Sequence, residues 1–153
     1  MTLYPTIKGD TTMYEMYNHR HYFTINGAPL YIEKVLLFFQ EIPLLFVCMD
    51  DKGNRYFCLC RDTDLGTHLI CKVSIDTLLK YLKSEISFTD MYESADIFYR
   101  VEVGEKEDFS DDIITEIKSN KIKDNIIYEG EVYFDAYLEY QKQYIRQLET
   151  KRK

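Results

Sequence analysis

The chain contains no tryptophan, only six glycines and three prolines in 153 residues, and nowhere a long hydrophobic run. So few glycines leave little material for a loop that cradles phosphates, and no Walker or G-x-G-x-x-G pattern is present. G-x-S-x-G and H-E-x-x-H are missing as well, so neither a nucleophile elbow nor a helical zinc-protease site is marked. The two apolar runs, Val35 to Phe39 and Ile42 to Met49, fall far short of the roughly 18 residues that a membrane-spanning helix needs. No basic region followed by an apolar run opens the sequence, so no secretory signal and a cytoplasmic location are expected. Basic residues are also in deficit: Lys and Arg number 19 against 26 Asp and Glu, a formal net charge of −7. A field of that sign repels nucleic acid, and direct nucleic-acid binding is not expected.

Tyrosine is abundant instead, with 14 Tyr beside 9 Phe. Two readings fit the surplus: AT-rich codon usage, or a contact surface built from rings with polar tips. The four cysteines, Cys48, Cys58, Cys60 and Cys71, are expected as reduced, buried thiols.

The pattern along the chain is that of one α+β domain over residues 1–153. Residues 1–20 read as a loose arm or a short helix around Thr12 to Tyr17. His21 to Ile25 alternates weakly and ends at Asn26-Gly27, a turn pair. Leu30 to Gln40, Leu44 to Met49, Arg55 to Arg61 and His68 to Val73 read as strands. Asp50 and Gly53 mark a bulged type I hairpin between two of them. Ser74 caps a helix carrying Ile75, Leu78, Leu79 and Leu82 on one stripe, and Ser87 with Asp90 forms a capping box for a second. Ile97 to Val103 returns as a strand, and Ile113 to Ile117 and Ile126 to Tyr128 suit short ones. Residues 132–150 read as a C-terminal helix. The expected architecture is an antiparallel sheet of about four to six strands with two short helices and a long C-terminal one.

No set of residues reads as a catalytic, metal or cofactor site. Across the Asp50–Asn54 hairpin Cys48 falls opposite Tyr56, with Cys58 and Cys60 on the same face and Cys71 able to join them. Side chains on a flat face do not converge on one ion as tetrahedral zinc requires. His19 and His21 lack a third ligand at useful spacing, and His68 stands alone. From Glu102 to Glu116 seven acids stand against Lys106 without the glycine or spacing of a calcium loop. Glu105, Glu107, Asp108, Asp111 and Asp112 are therefore read as a docking surface for a basic protein partner. Phe134, Tyr137, Tyr144 and Ile145 form a broad apolar stripe on the C-terminal helix, suited either to packing on the sheet or to self-association.

The blocks Pro43 to Cys48, Asp51 to Tyr56, Lys72-Val73-Ser74, Leu78-Leu79 and Ile86 to Asp90 resemble a group of small bacterial domains of unknown function. These share a Pro-Leu-Leu-Phe strand, a Gly-Asn hairpin and a Ser-capped helix, and the resemblance covers about residues 30–103. It implies a fold and no activity. The leading functional expectation is a non-enzymatic acidic interaction module, an inhibitor or antitoxin-like regulator of bacterial or phage origin. The alternative is a small-molecule or nucleotide-sensing domain, and the third is an enzyme with an unrecognised site.

Overall fold

A computed structural model describes residues 17–125 and 138–152. Seven strands form one antiparallel sheet in sequence order: β1 (His21–Ile25), β2 (Ala28–Phe39), β3 (Ile42–Met49), β4 (Arg55–Asp62), β5 (Thr67–Val73), β6 (Ile97–Glu102) and β7 (Ile113–Lys118). Helices α1 (Ile75–Leu82) and α2 (Phe88–Glu93) join β5 to β6. A 3₁₀ turn (Ser119–Asp124) follows β7, and α3 (Leu138–Arg152) ends the chain.

This corrects the expected sheet of four to six strands with two short helices and a long one. The sheet has seven strands, and the 3₁₀ turn was not anticipated. The two edges are the weakly marked strands. β1 alternates weakly because it carries a bulge, and β7, which falls where Ile113 to Ile117 suited a short strand, has no buried residue, so neither needs the apolar density of a central strand. The possible strand at Ile126 to Tyr128 lies outside the described residues, as does the arm up to residue 16.

Local signals act as their chemistry dictates. Asn26 and Gly27, with φ of 53° and 80°, make the two-residue turn between β1 and β2. In the β3–β4 hairpin Gly53 has φ 86°, and the Asp50 carboxylate accepts from the backbone N–H groups of Lys52 and Asn54 at 2.9 Å. Ser74 accepts from Thr77 N–H at the start of α1, and Ser87 and Asp90 form the reciprocal box that starts α2.

Alternation along the central strands divides the side chains between two cores. Leu45, Val47, Phe57, Leu59, Leu69 and Cys71 face all three helices, where Leu78, Leu82, Met91, Tyr92, Tyr144 and Leu148 cover them. Phe46, Cys48, Cys58, Ile70 and Val101 point the other way and meet Phe23, Ile25, Leu30 and Ile32. Cys48 does lie opposite Tyr56, but Cys71 is on the helix face, away from the other three thiols.

None of these three helices packs on the second core, which Tyr17 reaches from before β1. The sheet closes around it by curling into a half-barrel. Phe23 of β1 stacks on Phe46 of β3 and reaches His68 of β5 at 5.0 Å between ring centroids, although β1 is hydrogen-bonded only to β2. Asn26 touches the Tyr99 hydroxyl of β6 at 3.4 Å. Register shifts in β1–β2 and at three points in β2–β3 supply the bend, since each bulge adds twist and re-aims side chains.

Candidate functional site: a groove at one mouth of the half-barrel

At one open end of the half-barrel the β1 segment, the β4–β5 turn and the β6–β7 loop surround a groove of about 730 Å³. The β1 bulge falls between His21 and Phe23. It turns Tyr22 onto the same concave face as Phe23, the two rings 5.1 Å apart and edge-on. From β4 and β5 come Cys60 and His68, directly opposite in register. From the loop comes Phe109, whose backbone is left-handed (φ 66°) and whose ring lies 4.5 Å from that of His21.

His68 forms the floor and is buried. Its Nδ1 lies 3.2 Å from the Gly66 carbonyl. A carbonyl only accepts, so Nδ1 carries the proton and Nε2 presents a lone pair. That Nε2 is enclosed and has no hydrogen-bond partner among the described residues. Rings of Tyr22, Phe23 and Phe46 surround the imidazole edge-on, at 6.1, 5.0 and 6.0 Å. Burial pulls the imidazole down to about 4, outweighing the Gly66 hydrogen bond, and pushes the Cys60 thiol up to about 11. Both groups are neutral at pH 7, so this cross-strand pair is not a thiolate–imidazolium nucleophile. Burial also raises the Tyr22 phenol, so it too stays protonated.

The acidic segment forms the lip of this groove. Asp111 accepts from the N–H groups of Glu105 and Lys106 at 3.0 and 3.1 Å, and Asp112 accepts from Gly104 at 2.8 Å. Asp108 accepts from Ser110 N–H at 3.0 Å, and hydrogen bonds from the Ser110 side chain and then its backbone hold the carboxyl below the usual range. These three carboxylates fold the loop. A Cβ on Gly104 would collide with the Asp111 carboxylate, which is why glycine suits that place. Glu105 and Glu107 are exposed and line the groove with Arg20 and Lys106, also exposed, so charges of both signs surround its mouth.

The other expected sites fare differently. Tyr144 and Ile145 are buried against the sheet, and the Tyr144 hydroxyl donates to Glu33 at 2.8 Å. Phe134 and Tyr137 lie outside the described residues. His21 Nε2 is shared between the Phe23 carbonyl at 3.0 Å and the Thr24 hydroxyl at 2.8 Å, while His19 is exposed. Among the described residues no three His, Cys, Asp or Glu side chains converge as a metal site, and no helix is long and apolar enough to cross a membrane.

Sequence reasoning missed the convergence of Tyr22, Cys60, His68 and Phe109. One signal was available: the short β4–β5 turn places His68 opposite Cys60. The bulge at Tyr22 has no glycine to announce it. No family model, curated protein or solved structure matches the chain.

Proposed function

We propose that the chain is a non-enzymatic binding domain that holds a small molecule in the groove at the mouth of the half-barrel. The carrying observation is the buried His68 Nε2, at the groove floor and without a partner among the described residues. Buried polar atoms are nearly always paired, and an orphan costs the full desolvation of its lone pair. Concave sites that bind small molecules combine apolar and aromatic walls with a few placed polar atoms, which is the composition here. Screening a fragment library against the ¹⁵N-labelled chain tests the reading. Amide shifts should gather at His21, Gly66, Val103 and Phe109; hits scattered over the surface would count against it.

A second reading, docking of a basic protein partner in the manner of an inhibitor, is favoured by Glu105 and Glu107. They are exposed on a loop whose shape three aspartates already hold, so little ordering entropy is lost on contact. An arginine-rich peptide should bind the chain in a salt-sensitive way, and Glu105→Gln with Glu107→Gln should weaken it. Equal binding by the double variant would reduce the segment to a solvated lip.

A further inference from the structure

We propose, building on the groove as a ligand site, that its ligand is an uncharged aromatic molecule with one hydrogen-bond donor, a phenol or an indole-type N–H, donating to Nε2 of His68. Three observations define that chemistry. The atom to be satisfied is an acceptor with no proton of its own, because Nδ1–H is committed to the Gly66 carbonyl. A second acceptor cannot pair with it; a donor can.

The walls around that nitrogen are rings. Tyr22, Phe23 and Phe46 all meet the imidazole edge-on within 6.1 Å, a setting that favours another planar ring over an aliphatic group. Among the described residues no charged side chain reaches this floor: the cations and glutamates that line the groove are exposed at the mouth, where their signs balance. A carboxylate or ammonium placed at His68 would therefore be desolvated without a counter-charge.

Tyr22 controls access. Of the three rings beside His68 it alone lines the groove, and it occupies the bulge of an edge strand. Its hydroxyl makes no hydrogen bond to a described residue. Turning outward breaks no hydrogen bond to a described residue and frees the space beside Nε2 for a ring of similar shape. The chain's own phenol thus holds the place that the ligand takes.

The test uses the full chain with ¹⁵N-labelled histidine. It is titrated with p-cresol and indole, with their methylated counterparts 4-methylanisole and N-methylindole, and with benzoate. The donor-bearing probes should bind about tenfold tighter than the methylated ones, the worth of one net hydrogen bond. They should also move the unprotonated His68 nitrogen upfield, and benzoate should bind more weakly than p-cresol. His68→Phe, which keeps a ring and removes the acceptor, should abolish the preference for donors while aromatic probes still bind. Comparing ligands on the wild-type chain keeps the test decisive even if that variant does not fold. Equal affinity for p-cresol and 4-methylanisole, with shifts at Gly66 and Phe109, would overturn the donor assignment and leave the groove as a ligand site. No shift in the groove with any probe would overturn both.

Discussion

Acid should unfold this protein partly through His68. In the unfolded chain its imidazole titrates near 6.5, whereas burial holds the folded form at about 4. Between those values the unfolded chain binds a proton that the folded chain refuses. The stabilising difference is complete above about pH 6.5 and is lost as pH falls toward 4, by about 1.4 kcal/mol per unit and about 3 kcal/mol in all. The imidazole is almost wholly enclosed, so solvent screening takes little from this figure. Ordinary carboxylates begin to titrate at the acid end of this window, so wild-type data alone would not isolate the effect. The assay is therefore a difference. Urea unfolding midpoints of wild type and His68→Phe are followed from pH 7.5 to 4.5, and the gap between the stabilities is plotted against pH. Phe fills a similar volume among Tyr22, Phe23 and Phe46 and cannot titrate. The wild type should fall away from the variant below about pH 6, with a gap that widens by about 2 kcal/mol by pH 4.5. Parallel curves would mean that the imidazole is hydrated or partnered in solution, and would remove the orphaned acceptor on which the proposed function rests.

Other perturbations read other parts of the fold. Gly53→Ala forces a side chain into φ 86° and should cost about 1 kcal/mol or more in thermal or urea melts, although the space around it is empty. The β2–β3 turn places Gln40 and Glu41 at φ 51° and 68°, so Gln40→Asn with Glu41→Gly should stabilise by about 1–2 kcal/mol; an unchanged melting temperature would refute a strained turn. Glu33 receives both guanidinium bonds of buried Arg55 at 2.8 Å and the Tyr144 hydroxyl. Burial raises its carboxyl, yet those bonds and nearby charges outweigh it and leave a net lowering. Glu33→Ala should cost about 3 kcal/mol by stranding Arg55, and it should loosen α3 in hydrogen exchange before the sheet opens.

Turns and caps were legible because each is written within five residues by groups that have few alternatives. Asn26-Gly27, Asp50 with Gly53, Ser74, and Ser87 with Asp90 all act where their chemistry places them. The number of strands was not legible, because an edge strand needs only one neighbour. β7 carries Ile113 in solvent, and β1 hides its alternation behind a bulge. The groove was less legible still. Tyr22, Cys60, His68 and Phe109 come from four separate segments that meet only because the sheet curls. That curl is set by bulges in β1–β2 and β2–β3, where Ile32 and Val35 reach the same core despite their odd spacing. The acidic run showed its charge in the sequence but not its use. Whether a carboxylate faces a partner or a backbone N–H depends on loop geometry, and Asp108, Asp111 and Asp112 take the second course.

The curl also dictates an order of assembly. Strands β2 to β5 join through short turns, so their ladders close small loops and form early. The interior on the helix side can begin at once, because α1 and α2 continue directly from β5, although α3 must still return to β2 to complete it. The other interior cannot be sealed by neighbours in sequence, since Phe23 must find His68 and Phe46 across strands already paired. Closure of the first strand over that face is a late, long-range event. Until it happens, Ile70, Val101 and Cys58 remain wet on one side of an otherwise finished sheet. The end of the molecule that forms the groove thus becomes dry only when the first strand closes over it.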